Sequence, residues 1–256
     1  MVYRYFIAVL LASIPFWLIG HTAELPLPID LPASSLMAFT PALLALLFVR
    51  IEKGPGAAKA LLARSFDWNR VPRRHWFLVA FLFMPVMLAL SYAILRLMGA
   101  EIPDPQIPLL AIPLFFLMFF TAALGEEIGW QGYAYDRLMA GRTAIGATFI
   151  LALVWLAWHV VPYFQTGRSL EWIVWHCLVT ILLRVVTVWL YVNGGRSVFI
   201  AALFHTMSNV AFFLFPVYGS HYDPAVTFVP LAVACAGIVF LWSPRTLAHF
   251  RYTRED

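Results

Sequence analysis

The chain is short of charge. Only 12% of its 256 residues are Asp, Glu, Lys or Arg, roughly half the share of an ordinary soluble domain, and that excludes a water-facing globule. Cysteine is scarce too. Cys177 and Cys235 both lie inside apolar runs, where they read as small packing residues rather than as a disulfide or a metal pair. There is no HExxH, no internal repeat, no low-complexity tract and no pair of broken helices of the transporter kind. Nothing marks a second domain, so residues 1–256 read as one membrane domain. The net charge of +4 does not imply nucleic acid, because the basic residues form no contiguous patch.

What is present in quantity is apolar surface, 62% of the residues. Windows of roughly 20 apolar residues, the length that crosses a hydrocarbon core, recur along the chain. They predict an all-α polytopic protein of about eight transmembrane helices, over 5–19, 35–49, 76–98, 108 through the GEEIGWQGY stretch, 143–164, 170–192, 198–218 and 225–242. The first run has the length of a signal peptide, with His21-Thr22-Ala23 as a passable cleavage region, but is expected to be a retained span. The basic connection from Arg50 to Arg74 belongs in the cytoplasm, and KALLARSF within it reads as an interfacial helix. Following the signs from there puts Arg168 alone outside and Arg96 and Arg184 within spans, with every other Lys and Arg inside. The expectation is therefore a cell-membrane protein of prokaryotic type, with both termini cytoplasmic, lipids as neighbours and a polar cavity open to the cytoplasm.

Against this background three spans carry costly side chains. Glu126 and Glu127 end one of the most apolar runs in the chain, His159 sits in the fifth span, and His205 and Asn209 sit in the seventh. An acidic residue near mid-bilayer costs on the order of 3 kcal/mol on insertion scales, which makes the pair a functional site by default. If the fourth helix runs to about Ala140, Gly141 supplies a left-handed cap and the chain turns into the fifth helix at Thr143. At ~1.5 Å per residue, Glu126 and His159 then lie ~21 and ~24 Å from the turn, and His205 and Asn209 lie ~12 and ~18 Å from the start of their helix. All four converge on one depth within about two turns. The central part of the chain, about 108–218, is the expected catalytic core.

Glu and His groups gathered inside a membrane suit the activation of water, since a carboxylate shielded from solvent makes a useful base. A second His and an amide suit the oxygen that turns negative when a peptide carbonyl is attacked. These residues also resemble a known family. GEEIGWQGY is similar to the EExxxR motif of the CPBP proteins, the CAAX proteases and bacteriocin-processing (Abi) proteins. VWLAWHVVPYF resembles their FxxxH motif, with Trp155 in the aromatic place and His159 as the histidine, and FHTMSNV resembles their HxxxN motif at His205 and Asn209. The resemblance implies an intramembrane endopeptidase acting on a peptide or protein, with lipid-modified chains among the candidate substrates. It implies that Glu126 and His159 activate water, that His205 and Asn209 hold the oxyanion, and that Glu127 supports the site. Metalloprotease and metal-free glutamate mechanisms both stay open; a divalent ion such as zinc would take Glu126, His159 and His205.

One position departs from the motif. Its arginine is Gln131 here, which hydrogen-bonds but forms no bidentate ion pair. Arg184, a charge inside the sixth span, is a candidate substitute. Glu127 has a structural alternative as partner of Arg137 or Gln131, and Asn209 as a tie between helices. His176 reads as a hydrogen bond to a neighbouring helix, and Trp130 and Trp158 as interfacial aromatics. On the residues alone two further classes stay open: a proton- or cation-coupled transporter, and an inactive peptide-binding or immunity homologue.

Overall fold

The computed structural model describes residues 1–20, 31–248 and 250–252. His21-Thr22-Ala23, His249 and Arg254 therefore lie outside the described residues. The elements of the described chain are helices joined by connections: α1 (Val2–Ile19), α2 (Thr40–Lys53) with a 3-10 turn before it (Ala33–Phe39), α3 (Pro55–Ala63), α4 (His75–Leu97), α5 (Ile112–Gly129) and α6 (Asp136–Leu138), then α7 (Ala144–Gln165), α8 (Leu170–Asn193), α9 (Val198–Leu214) and α10 (Pro224–Trp242). Seven helical stretches are long and apolar enough to cross a membrane. The eighth expected span, α9, has 17 residues and is buried by protein along nearly its whole length, so lipid need not cover it. The expected interfacial helix in the basic connection is present as α3.

Local chemistry fixes the ends. The Thr143 hydroxyl accepts from Gly146 N at 3.2 Å, Ser169 and Ser197 cap α8 and α9 in the same way, and Asp223 caps α10 through Ala225 N and Val226 N. Gly141, at φ +77°, makes the predicted left-handed turn between α6 and α7. α5 packs chiefly between α2 and α9, while α8 lies against α7, α9 and α10. Gly125 and Gly129, one turn apart, let the preceding 3-10 turn and α2 come close: a Cβ at Gly125 would sit 2.7 Å from Ala38 O, and one at Gly129 2.6 Å from Pro41 Cβ. Small residues spaced in this way are how membrane helices reach backbone contact.

The two ends of the bundle are distinct. At one, Arg64 donates to Gly132 O, Tyr191 Oη and Arg196 O, Ala144 N donates to Arg245 O, and Arg142 reaches Tyr3. At the other, Gln165 Nε2 donates to Trp17 O, Ser34 Oγ to Gln165 Oε1, and Gln106 N to Pro216 O. A cavity of about 640 Å³ starts among the polar residues of α5, α7 and α9 and runs to the second end, where Leu31, Arg168, Trp172 and Tyr218 line it. The described parts of both termini lie at the first, basic end. Cytoplasmic termini and a cavity open to the cytoplasm, expected together from the sequence, therefore cannot both hold.

Candidate active site

The acidic pair lies where helix geometry changes. α5 runs regularly to Gly129 and then widens into a π-helical turn over Trp130–Tyr135. Such turns recur at functional sites because the extra residue per turn re-aims side chains. Adjacent positions on a helix face different ways, so the two carboxylates meet different neighbours.

Glu127 is wholly buried and faces α8 and α9. Arg184 Nη1 donates to both its oxygens, at 3.1 and 2.9 Å, and His205 Nδ1 is 2.9 Å from Oε1. The Arg184 guanidinium, also wholly buried, lies over the Trp155 ring at 4.0 Å. This corrects the structural alternative drawn from the sequence. Arg137 goes to Glu52 at 2.6 Å, and both amide atoms of buried Gln131 lack a partner among the described residues. Arg184 thus takes the carboxylate that a motif arginine at position 131 would be near.

Glu126 faces the cavity. Trp155 Nε1 donates to Oε2 at 2.8 Å, while Oε1 lies 3.9 Å from His205 Nε2. That separation is wider than a hydrogen bond and admits a shared atom between them. His159 is clamped by aromatic rings, with Trp155 and Trp158 each at 4.7 Å and Tyr163 at 5.6 Å. Its Nδ1 is 2.9 Å from Trp155 O. A carbonyl only accepts, so Nδ1 carries the hydrogen and the neutral ring keeps its Nε2 lone pair for a proton. Asn209 lines the same cavity, and its side-chain amide makes no hydrogen bond among the described residues.

The five predicted residues thus share one site, Glu127 at its base and the other four lining the cavity. Trp155 does more than the motif implied: it holds Glu126, packs on both histidines and lies under Arg184. Trp130 is core, against Tyr5 and Trp158, and does not line the cavity. Trp158 does line it and donates to Ser13. His176 hydrogen-bonds Tyr222 at 3.3 Å, in the connection before α10 rather than on a neighbouring helix as the sequence suggested, and it also lines the cavity. Burial holds the Tyr222 phenol well above its usual range, so it stays a neutral hydroxyl.

The metal-ligand set needs correcting. Donor atoms of Glu126, Glu127 and His205 come within 4.8 Å of one another, whereas the expected set had His159 in place of Glu127. The gathered donors do not fit a zinc centre. Glu127 is committed to Arg184 and to His205 Nδ1, which leaves one Glu126 oxygen and His205 Nε2 where catalytic zinc takes three protein ligands. The fixed guanidinium beside them adds repulsion.

Two comparisons with known proteins bear on the stretch that holds these residues. The family model described as "Type II CAAX prenyl endopeptidase Rce1-like" matches residues 108–211. A curated relative, CAAX prenyl protease 2 of Methanococcus maripaludis, is 26% identical over 147 residues, which cover 52% of this chain and 54% of the relative. The chain thus spans about half the length of the relative it matches. Glu126, Glu127, His159, Arg184, His205 and Asn209 all fall inside the stretch that the family model matches, so the candidate site lies wholly in the part of the chain that is similar to type II CAAX prenyl endopeptidases.

Proposed function

We propose that this protein is an intramembrane endopeptidase that hydrolyses a peptide bond with water activated by Glu126 and His159. One observation carries the reading: the Glu126 oxygen that Trp155 leaves free opposes His205 Nε2 across 3.9 Å, at the inner end of an apolar cavity that His159 and Asn209 also line. A scissile carbonyl placed there meets a base on one side and hydrogen-bond donors on the other.

The roles then follow. As the water oxygen bonds to the carbonyl carbon, its proton passes to Glu126, with His159 Nε2 as the alternative acceptor. The carbonyl electron pair moves to oxygen, where the Asn209 amide donates. His205 also donates when its ring carries a second proton on Nε2, since Nδ1 is held by Glu127. Collapse breaks the C–N bond, and the proton taken from water goes to the leaving amine. Glu127 and Arg184 touch no reacting atom; they position His205 and Trp155. The substrate is a peptide or protein. Leu36, Met84, Leu88, Phe119 and Phe212 along the walls suit an apolar flank, whether side chains or an attached lipid. The transporter reading finds less support, because no residue of the connections at 139–143 and 193–197 lines the cavity and a through path would have to pass them.

Purified protein with prenylated and unprenylated peptides, with and without a chelator, tests this by mass spectrometry. New termini are expected from the wild type in both conditions and none from Glu126→Gln. Binding without products would mean an inactive homologue, and ion-dependent flux without products a transporter.

A further inference from the structure

At the basic end of the bundle an open cleft lies where the end of α2, α3 and the π-helical turn meet, and we infer that it holds the phosphate of an anionic phospholipid. The inference goes beyond the peptidase reading and stands or falls without it.

Lys53, Arg64, Arg70 and Arg137 line the cleft against Glu52 and Asp136. Both acids are already engaged, Glu52 with Arg137 and the Tyr133 hydroxyl at 2.6 Å each, and Asp136 with the Tyr191 hydroxyl at 3.2 Å and Arg196 at 3.4 Å. The cations are not all engaged in return. Lys53 is exposed and forms no ion pair among the described residues, since Arg137 holds Glu52 beside it. Arg70 is half-exposed and commits only its Nε, to Gly195 O at 3.3 Å and to Asp67 at 3.9 Å. Arg64 is fixed between Gly132 O, Tyr191 and Arg196 O, 3.6 Å from Asp67. Positive charge is therefore left over at the cleft, and an anion with several acceptor oxygens, as a phosphate has, matches Lys and Arg donors that converge from separate segments. Small residues keep the wall open: α3 presents Ala57 and Ala60 to it, and a Cβ at Gly132 would stand 3.0 Å from Leu61 Cδ1.

A second observation, independent of charge, selects a lipid over a free phosphate. The connection that carries Arg64 and Arg70 joins two spans, those ending at Lys53 and starting at His75, and so lies at the membrane boundary. Leu62, Phe66 and Trp68, next to those cations in sequence, are 51%, 59% and 52% exposed and line neither the catalytic cavity nor the cleft. Apolar and tryptophan side chains exposed on such a connection sit at headgroup depth, which brings acyl chains alongside the cleft. Basic pockets between membrane-spanning helices are recurrent headgroup sites.

The site is also tied to the fold. Arg64 Nη1 and Arg137 Nη1 donate to the carbonyls of Gly132 and Tyr133, consecutive residues of the π-helical turn. A phosphate bridging Lys53 at the end of α2 and Arg70 beyond α3 holds both segments against that turn. A ligand that binds only the folded state raises its melting temperature.

The experiment takes the full chain, stripped of lipid in a neutral detergent, and adds phosphatidylglycerol or phosphatidylcholine with the same acyl chains. Native mass spectrometry reads binding and a thermal melt reads stability. Phosphatidylglycerol is expected to bind at least ~10-fold more tightly than phosphatidylcholine and to raise the melting temperature further. Lys53→Gln with Arg70→Gln should bring it to the phosphatidylcholine level, and Lys53→Gln alone, an exposed change that breaks no ion pair, should weaken it ~3-fold or more. Lys59→Gln, on α3 but outside the cleft, should leave binding unchanged. Equal binding of the two lipids overturns the site. So does a loss with Lys59→Gln as large as that with Lys53→Gln, because the attraction is then diffuse surface charge. Inorganic phosphate and an acidic peptide form the last arm: if either protects the fold as well as phosphatidylglycerol does, the lipid is overturned as the ligand.

Discussion

The basic end of this bundle is filled with matched polar groups, and the opposite end is hollow. At the basic end Asp67 accepts from Ser197 Oγ, Val198 N and Phe199 N, Glu52 takes both Tyr133 and Arg137 at 2.6 Å, and Asn193 ties α8 to Leu247 O. At the hollow end His159 Nε2, one oxygen of Glu126 and the Asn209 amide face a cavity. Buried polar groups ordinarily find partners, so open groups gathered at the inner end of a cavity mark where a substrate completes the hydrogen bonding. The Glu127–Arg184 pair is the seam between the two regions.

Breaking that seam is expected to have the largest effect. Arg184→Gln leaves Glu127 charged, buried and without its ion pair, a change that costs ~3–5 kcal/mol when one partner of a buried pair is removed. Unfolding in detergent should report that loss, and residual folded enzyme should lose kcat more than KM changes, because His205 and Trp155 are displaced rather than the cavity walls. Arg184→Lys should recover part of both. A fully stable Arg184→Gln with normal turnover would show that the seam is decorative.

Next comes the open region alone. Glu126→Gln, or His159→Ala, should lower kcat at least ~100-fold, about 2.7 kcal/mol of barrier, with the melting temperature unchanged or raised. The contrast with Arg184 is the point, since groups awaiting a substrate contribute to turnover without contributing to the fold. If either variant melts markedly lower than the wild type, the hollow end is more structural than drawn.

These expectations also show what could be read from the sequence. Glu126, His159, His205 and Asn209 stood out because charged and amide groups are conspicuous in apolar runs, and Gly141 marked the α6–α7 turn as predicted. The partner of Glu127 was half legible: Arg184 stood out as a charge inside the sixth span that could replace the motif arginine, but not which carboxylate it meets. Arg137 and Gln131 lie within ten residues of Glu127 in sequence, whereas Arg184 arrives from α8, 57 residues away. The π-helical turn left no trace in hydropathy because it is a change in hydrogen-bond register. Gly125 and Gly129 did carry a readable signal, small residues one turn apart, which explains the close approach of α2. Depth along each helix could be counted, but which end is hollow depends on side-chain packing between helices and could not.

A smaller effect tests the filled region without touching the site. Asp67→Ala removes three hydrogen bonds at the start of α9, including its tie to two orphan backbone N–H groups, and should cost ~1–2 kcal/mol. Cleavage per folded molecule should be unchanged. A selective loss of turnover would mean that the basic end reaches the chemistry through α9, which carries His205 and Asn209.

The smallest change sharpens the comparison most, because Gln131 sits on the filled side yet behaves like neither region. It is wholly buried, and its amide oxygen and nitrogen are both unpartnered among the described residues. Gln131→Met keeps the volume and removes two unsatisfied polar atoms, so stability should rise by ~1 kcal/mol. Turnover should not change, because the cation the motif would place here reaches Glu127 from Arg184 instead. If Gln131→Met lowers kcat while the melting temperature holds, the amide has a partner in the working enzyme, and the arginine has not simply moved from the π-helical turn to α8.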